Sequence, residues 1–112
     1  MEYTQIQKAA IACLLIEMAN IDNDVAFEEL IAINHLNKEL KISKETQSLG
    51  FILEYEEAID FLKPLSMEAR IQVAKYLVVV ADADEKLEPA ELDFLNCVCT
   101  DLQVKDFLLA YI

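Results

Sequence analysis

The sequence predicts an all-α protein: a compact bundle of about six helices built around a pseudo-twofold repeat of two helix–loop–helix hairpins. Three observations lead there. Apolar residues recur at helical spacing through most of the chain. The 112 residues include one glycine and two prolines, so turns are few and helices long. One short acidic segment occurs twice, 62 residues apart, each time between a very apolar helix and an amphipathic one.

The first helix is expected from Thr4 to Ala19. Thr4 is a good N-cap, and Ile6, Ala9, Ala10, Cys13 and Leu14 keep helical spacing. Its middle, Ala9 to Ile16, is apolar nearly all round, which places this helix at the centre of the fold. The stretch is too short and too closely followed by Glu17 to be a signal peptide or a membrane span. A polar break, Asn20 to Asp24, precedes a second helix from Phe27 to Leu40, expected to bury Leu30, Ile33, Leu36 or Asn37, and Leu40. Ser43 caps a third helical region from Lys44 to Leu62, which Gly50 could divide, and Pro64 closes it. Ser66 caps the next helix, Met67 to Ala81. Within it, Tyr76 to Val80 alone would also suit a buried strand, but the helical period starts ten residues earlier. After a second acidic break, Asp82 to Lys86, Pro89 opens a helix to Asp101 that points Leu92, Leu95, Val98 and Cys99 inward. A short apolar helix, Val104 to Tyr111, ends the chain and is fit to dock on the body or on a second copy.

Composition narrows the function. The formal net charge is −12, with 21 acidic residues against 9 basic ones. Nucleic acid and anionic membrane are poor partners for such a surface, because both require clustered Lys and Arg. Cations, basic proteins or plain solubility suit it. Cys13, Cys97 and Cys99 are odd in number and lie in apolar helical stretches, which reads as reduced core thiols of a cytoplasmic protein. Cys97 and Cys99 point to opposite sides of one helix, so they form neither a redox pair nor half a zinc site.

The repeat aligns Met18 to Leu30 with Val80 to Leu92. Ala19 and Ala81, Asp22 and Asp84, Glu29 and Glu91, and Leu30 and Leu92 are identical pairs, and Val25 matches Leu87 in kind. This pattern, Ala-x-x-Asp-x-x-aliphatic-x-x-x-Glu-Leu between an apolar helix and the next, resembles the TerB-like domains. That family includes tellurite-resistance TerB and the N-terminal domain of the co-chaperone DjlA. The resemblance covers most of the chain as one domain over residues 1–112 and is clearest from Ser66 to Val104. It implies a helical bundle, a role in stress response and an acidic metal site. Where the family has Gly after the motif Asp, this chain has Asn23 and Glu85. Asn tolerates positive φ, whereas Glu85 there would cost about 1 kcal/mol, so the two loops are expected to differ. There is no His-Pro-Asp signature, hence no J domain.

The candidate metal residues are Asp22, Asp24, Glu29, Asp84 and Glu91, with Asn20, Asp82 and Glu88 as helpers. Calcium or another divalent cation takes several oxygen ligands, which two adjacent acidic loops could supply. A purely structural reading stands beside it. Glu29 and Glu91 fall near the third position of their helices, where a carboxylate offsets the helix dipole and accepts backbone N–H groups. Asp22 and Asp84 can organise turns. Ala26 and Glu88 stand at the N-caps, so neither helix has a Ser or Thr cap. The first loop, with Asn23 and Asp24, suits an ion better; the second, with Glu85 and Lys86, suits a structural cap. Neither is an EF-hand, because Val25 and Leu87 stand where that loop needs Gly, and Ile31 and Asp93 where it needs Glu.

No catalytic set can be assembled. His35 is the one histidine and has no Ser or Cys partner near it in sequence. Glu54, Glu56, Glu57 and Asp60 read as a solvated acidic face, which Tyr55 and Phe61 could extend into a partner surface. Two functional classes follow. One is a non-enzymatic TerB-like interaction or scaffold module with a protein partner, open also to a homodimer. The other is a divalent-cation-binding domain using both acidic loops.

Overall fold

The computed structural model describes residues 2–21, 25–83 and 88–111. Among these, seven helices and no strand are present. They are α1 (Gln5–Asn20), α2 (Phe27–Glu39), α3 (Lys44–Ile52), α4 (Tyr55–Leu62), α5 (Met67–Ala81), α6 (Pro89–Asp101) and α7 (Lys105–Tyr111).

Helix α1 is the axis of the bundle. Ala9 through Leu15, Met18 and Ala19 are all buried, and α2, α3, α4, α5 and α6 each pack on it. An element surrounded in this way must be apolar on every side. It starts on a full capping box: Thr4 Oγ1 accepts the Gln7 N–H at 3.2 Å, and Gln7 Oε1 accepts the Thr4 N–H at 3.0 Å.

The third helical region is two helices, and Gly50 is not the break. Gly50 stays inside α3, buried against α1, while Leu53 turns extended and Glu54 starts α4. Helix α4 opens with the Glu54 N–H donating to Glu57 Oε1 at 2.9 Å. The stretch from Tyr76 to Val80 is helical, as its longer period requires. Ser66 Oγ accepts the Ala69 N–H at 3.1 Å to start α5. In the first turn of α5, Arg70 donates from Nε to the Leu65 carbonyl at 3.1 Å and from Nη1 to the Leu102 carbonyl at 2.6 Å. That guanidinium ties the start of α5 to the end of α6. Tyr55 makes a second tie, donating to Asp101 Oδ2 at 2.7 Å, with its ring edge-on to Phe94 at 5.9 Å. Helix α7 docks on α6 and buries Leu108. A seven-residue helix would not form alone. Burial of one Leu contributes about 1.5–3 kcal/mol toward holding it.

The repeat extends well beyond the acidic loops. The caps Thr4 and Ser66, the first residues of α2 and α6 (Phe27 and Pro89), and their last residues (Glu39 and Asp101) all keep the 62-residue offset. So do two helix ends. Lys41 (φ 56°) and Gln103 (φ 60°) are left-handed. Ile42 N–H bonds the Asn37 carbonyl and Val104 N–H the Cys99 carbonyl, each at 2.8 Å. Both are Schellman closures built without glycine, each costing about 1 kcal/mol of backbone strain. The buried Ile42 and Val104 that follow offset it.

Two expected core positions are different in the structure. Leu30 is 47% exposed, because α2 turns its Ile33–Leu36–Asn37 stripe to the core and leaves Phe27, Leu30 and Ile31 outside. Cys97 is exposed, whereas Cys13 and Cys99 are buried. Helix α6 instead buries Phe94, which the periodicity of Leu92, Leu95 and Val98 did not single out.

Candidate functional site

The two acidic hairpins meet the body of the protein at Glu29 and Glu91. Each is the third residue of its helix, and each uses Oε1 to accept the N-cap N–H: Ala26 to Glu29 at 3.0 Å, and Glu88 to Glu91 at 3.1 Å. Ala26 has no side-chain acceptor to complete the box, and the Glu88 side chain makes no cap bond. The structural role expected for Glu29 and Glu91 is therefore present. Asp22, Asp24 and Asp84, together with Asn23, Glu85, Lys86 and Leu87, lie outside the described residues. Among the described residues, no three His, Cys, Asp or Glu side chains are placed to hold a metal ion. Of the helpers, Asn20, Asp82 and Glu88 are exposed.

Glu29 and Glu91 differ from an ordinary cap in one respect. Glu57 does the same work for α4 but is exposed, whereas Glu29 and Glu91 are 3% and 2% exposed. Capping an N-terminus does not require burying the carboxylate, as Glu57 demonstrates. Withdrawing a carboxylate from water costs several kcal/mol unless polar partners replace it.

A second polar cluster lies between α1, α4 and α6. Cys13 Sγ is 3.5 Å from the Leu53 carbonyl and 3.9 Å from Glu17 Oε1. Burial, then the carboxylates of Glu17, Glu54 and Glu57, push the Cys13 thiol up to about 11. Burial and the neighbouring Glu54 raise Glu17 above the usual carboxylate range, against a smaller lowering by the Cys13 contact. Burial and the Asp101 hydrogen bond raise the Tyr55 phenol. The Cys13 thiol and the Tyr55 phenol are held in their neutral forms, a poor start for nucleophile chemistry at neutral pH.

The outer side of α2 carries the feature that sequence periodicity missed. Phe27, Leu30 and Ile31 are 71%, 47% and 53% exposed. Between this side of α2 and the end of α5 runs an open groove of about 520 Å³, lined by Glu28, Ile31, Ala32, His35, Leu36, Glu39, Val79 and Ala83. His35 is thus a groove residue, exposed on α2. The signal was present as two apolar stripes on one helix. Ile33, Leu36 and Leu40 account for the core, which leaves Phe27, Leu30 and Ile31 at helical spacing with nothing inside to cover. A second exposed apolar group, Leu49, Phe51 and Ile52, stands at the end of α3.

Among the described residues, no helix is long and apolar enough to cross a membrane. No curated protein and no solved structure matches the chain. A family model described as tellurite resistance protein TerB matches residues 8–109, from the first turn of α1 into α7. The match spans both hairpins and nearly the whole chain, and the protein belongs to the TerB family.

Proposed function

We propose that this TerB-family chain is a non-enzymatic interaction module whose contact surface is the outer side of α2. One observation carries the reading: Phe27, Leu30 and Ile31 are exposed on the same helix that supplies Ile33 and Leu36 to the core. Isolated exposed apolar residues are ordinary, but three at helical spacing beside a groove mark a contact surface. The raised Cys13 and Cys99 thiols and Tyr55 phenol are unreactive at neutral pH, which supports a role without catalysis. The unpaired Cys13 and Cys99 suit a reducing compartment such as the cytoplasm. The family's description, tellurite resistance, supports a stress-response setting.

The test is in-cell crosslinking with a photoreactive residue at Asn34, which is exposed on α2. A discrete adduct is expected with the native surface and should vanish with Ile31→Asp, whose circular dichroism should be unchanged. An adduct pattern identical in both proteins would refute this surface.

A second reading, a divalent-cation site at the hairpins, is favoured by the burial of Glu29 and Glu91 compared with the exposed cap Glu57. Calcium, magnesium, manganese and zinc titrations followed by amide shifts test it. Shifts at Glu29, Glu91 and their loops below millimolar ion, absent in Asp22→Asn/Asp84→Asn, support the site. No movement in that range rejects it.

A further inference from the structure

We propose that the groove between α2 and the end of α5 receives one face of a basic amphipathic helix from a partner protein, an inference that rests on the interaction reading above. The shape and chemistry of the groove carry the argument. Its floor and walls are apolar: Ile31, Ala32 and Leu36 from α2, and Val79 and Ala83 from the α5 side. Among the described residues, the charged groups lining it are Glu28 and Glu39, with His35 between them, and none is Lys or Arg. On α2 the two carboxylates are eleven residues apart, a rise of about 16 Å, the length of three helical turns. An apolar trough of that length with an acid at each end matches a helix that presents an i, i+4, i+7 apolar stripe and a cation at either end. The exposed Phe27 and Leu30 continue the apolar surface beyond one wall. A formal net charge of −12 would steer such a cationic helix toward the protein.

A second copy of this chain is a poor occupant. An isologous pair through this face would bring Glu28 and Glu39 of one copy against the same acidic rim of the other. With 9 basic residues against 21 acidic ones, the chain is also short of cations to offer in return. The occupant is therefore another protein.

The probe is an 18-residue amphipathic peptide of Leu and Lys, with a Leu and Glu peptide of the same pattern as control. Both are titrated into the isotope-labelled full chain and followed by amide shifts. The Leu/Lys peptide should move Glu28, Ile31, Ala32, His35, Glu39, Val79 and Ala83 and bind at least tenfold more tightly than the control. Glu28→Lys/Glu39→Lys, both exposed, should weaken it about tenfold or more. Glu56→Lys/Asp60→Lys, an equal charge change on α4, should leave affinity within about twofold. Equal losses in the two double variants would reduce the binding to general charge attraction and overturn the proposal. Shifts centred on Phe51 and Ile52 would overturn it as well. Those results leave the α2 contact reading standing, since the latter fails only on the crosslinking comparison with Ile31→Asp.

Discussion

Gly50 lies so close to Ala9 that a Cβ placed on it would come within 2.8 Å of the Ala9 carbonyl oxygen. The same Cβ would meet Ala12 Cβ and the Cys13 nitrogen, each at 3.1 Å. Two of these three neighbours are backbone atoms of the central helix and cannot step aside like the end of a side chain. In an isolated helix, Gly to Ala would stabilise by about 0.5–1 kcal/mol. Here the lost approach of α3 to α1 should win, and Gly50→Ala should destabilise the protein by about 1–3 kcal/mol. Urea unfolding of the two proteins decides it, and a gain in stability would show that the two helices are not held this tightly.

Glu29, Glu91 and Glu57 perform one capping role, the first two buried and the third exposed, and substitution should separate them. Glu91→Ala and Glu29→Ala each strip a partly buried N-cap N–H of its acceptor and should cost about 1–3 kcal/mol. Glu57→Ala exposes its N–H to water and should cost under about 1 kcal/mol. Glutamine should rescue the cap at Glu29 and Glu91, because Gln7 already plays this part at the start of α1. Denaturation midpoints for the series provide the check. Equal losses at all three alanine variants would remove the distinction between buried and exposed caps.

Glu17 should make stability depend on pH in a direction opposite to that of a salt-bridged carboxylate. Its proton is held more tightly in the folded protein, through burial and the nearby Glu54. The associated stability is fully present below the ordinary carboxylate range near pH 4.5 and is lost as pH rises through the raised folded value. Glu17→Gln should therefore gain stability over the native protein at pH 7 but not at pH 4. The gain should be on the order of a few tenths of a kcal/mol, given partial exposure to solvent. Thermal unfolding at both pH values measures it. A variant less stable at pH 7 than at pH 4, relative to native, would reverse the sign.

The three thiols should divide one against two. Cys13 and Cys99 are buried and pushed up to about 11, leaving about one thiolate in a thousand at pH 8. Cys97 is exposed on α6. A chromogenic disulfide reagent should titrate one thiol in the native protein and three in denaturant, and Cys97→Ser should abolish the fast native reaction. Rapid modification of two or more native thiols would contradict the burial of Cys13 and Cys99.

Much of this protein was determined locally and could be read from the chain. Ser66 and Pro89 start helices where a hydroxyl acceptor and a ring-fixed φ make helix entry favourable, whatever packs on them later. The apolar run from Ala9 to Leu15 could only be a central helix. Glu29 and Glu91 were recognisable as third-position carboxylates because that role depends on three residues of spacing. Other features required the third dimension. Gly50 stays helical, although its composition suggests a break, because the close approach of Ala9 makes use of its missing side chain. Lys41 and Gln103 adopt left-handed closures that usually fall to glycine, held there by the burial of Ile42 and Val104. The exposure of Phe27, Leu30 and Ile31 was also settled by packing. A helix with two apolar stripes can turn either one inward, and contact with α1 and α5 chose Ile33 and Leu36, leaving the other stripe beside the groove.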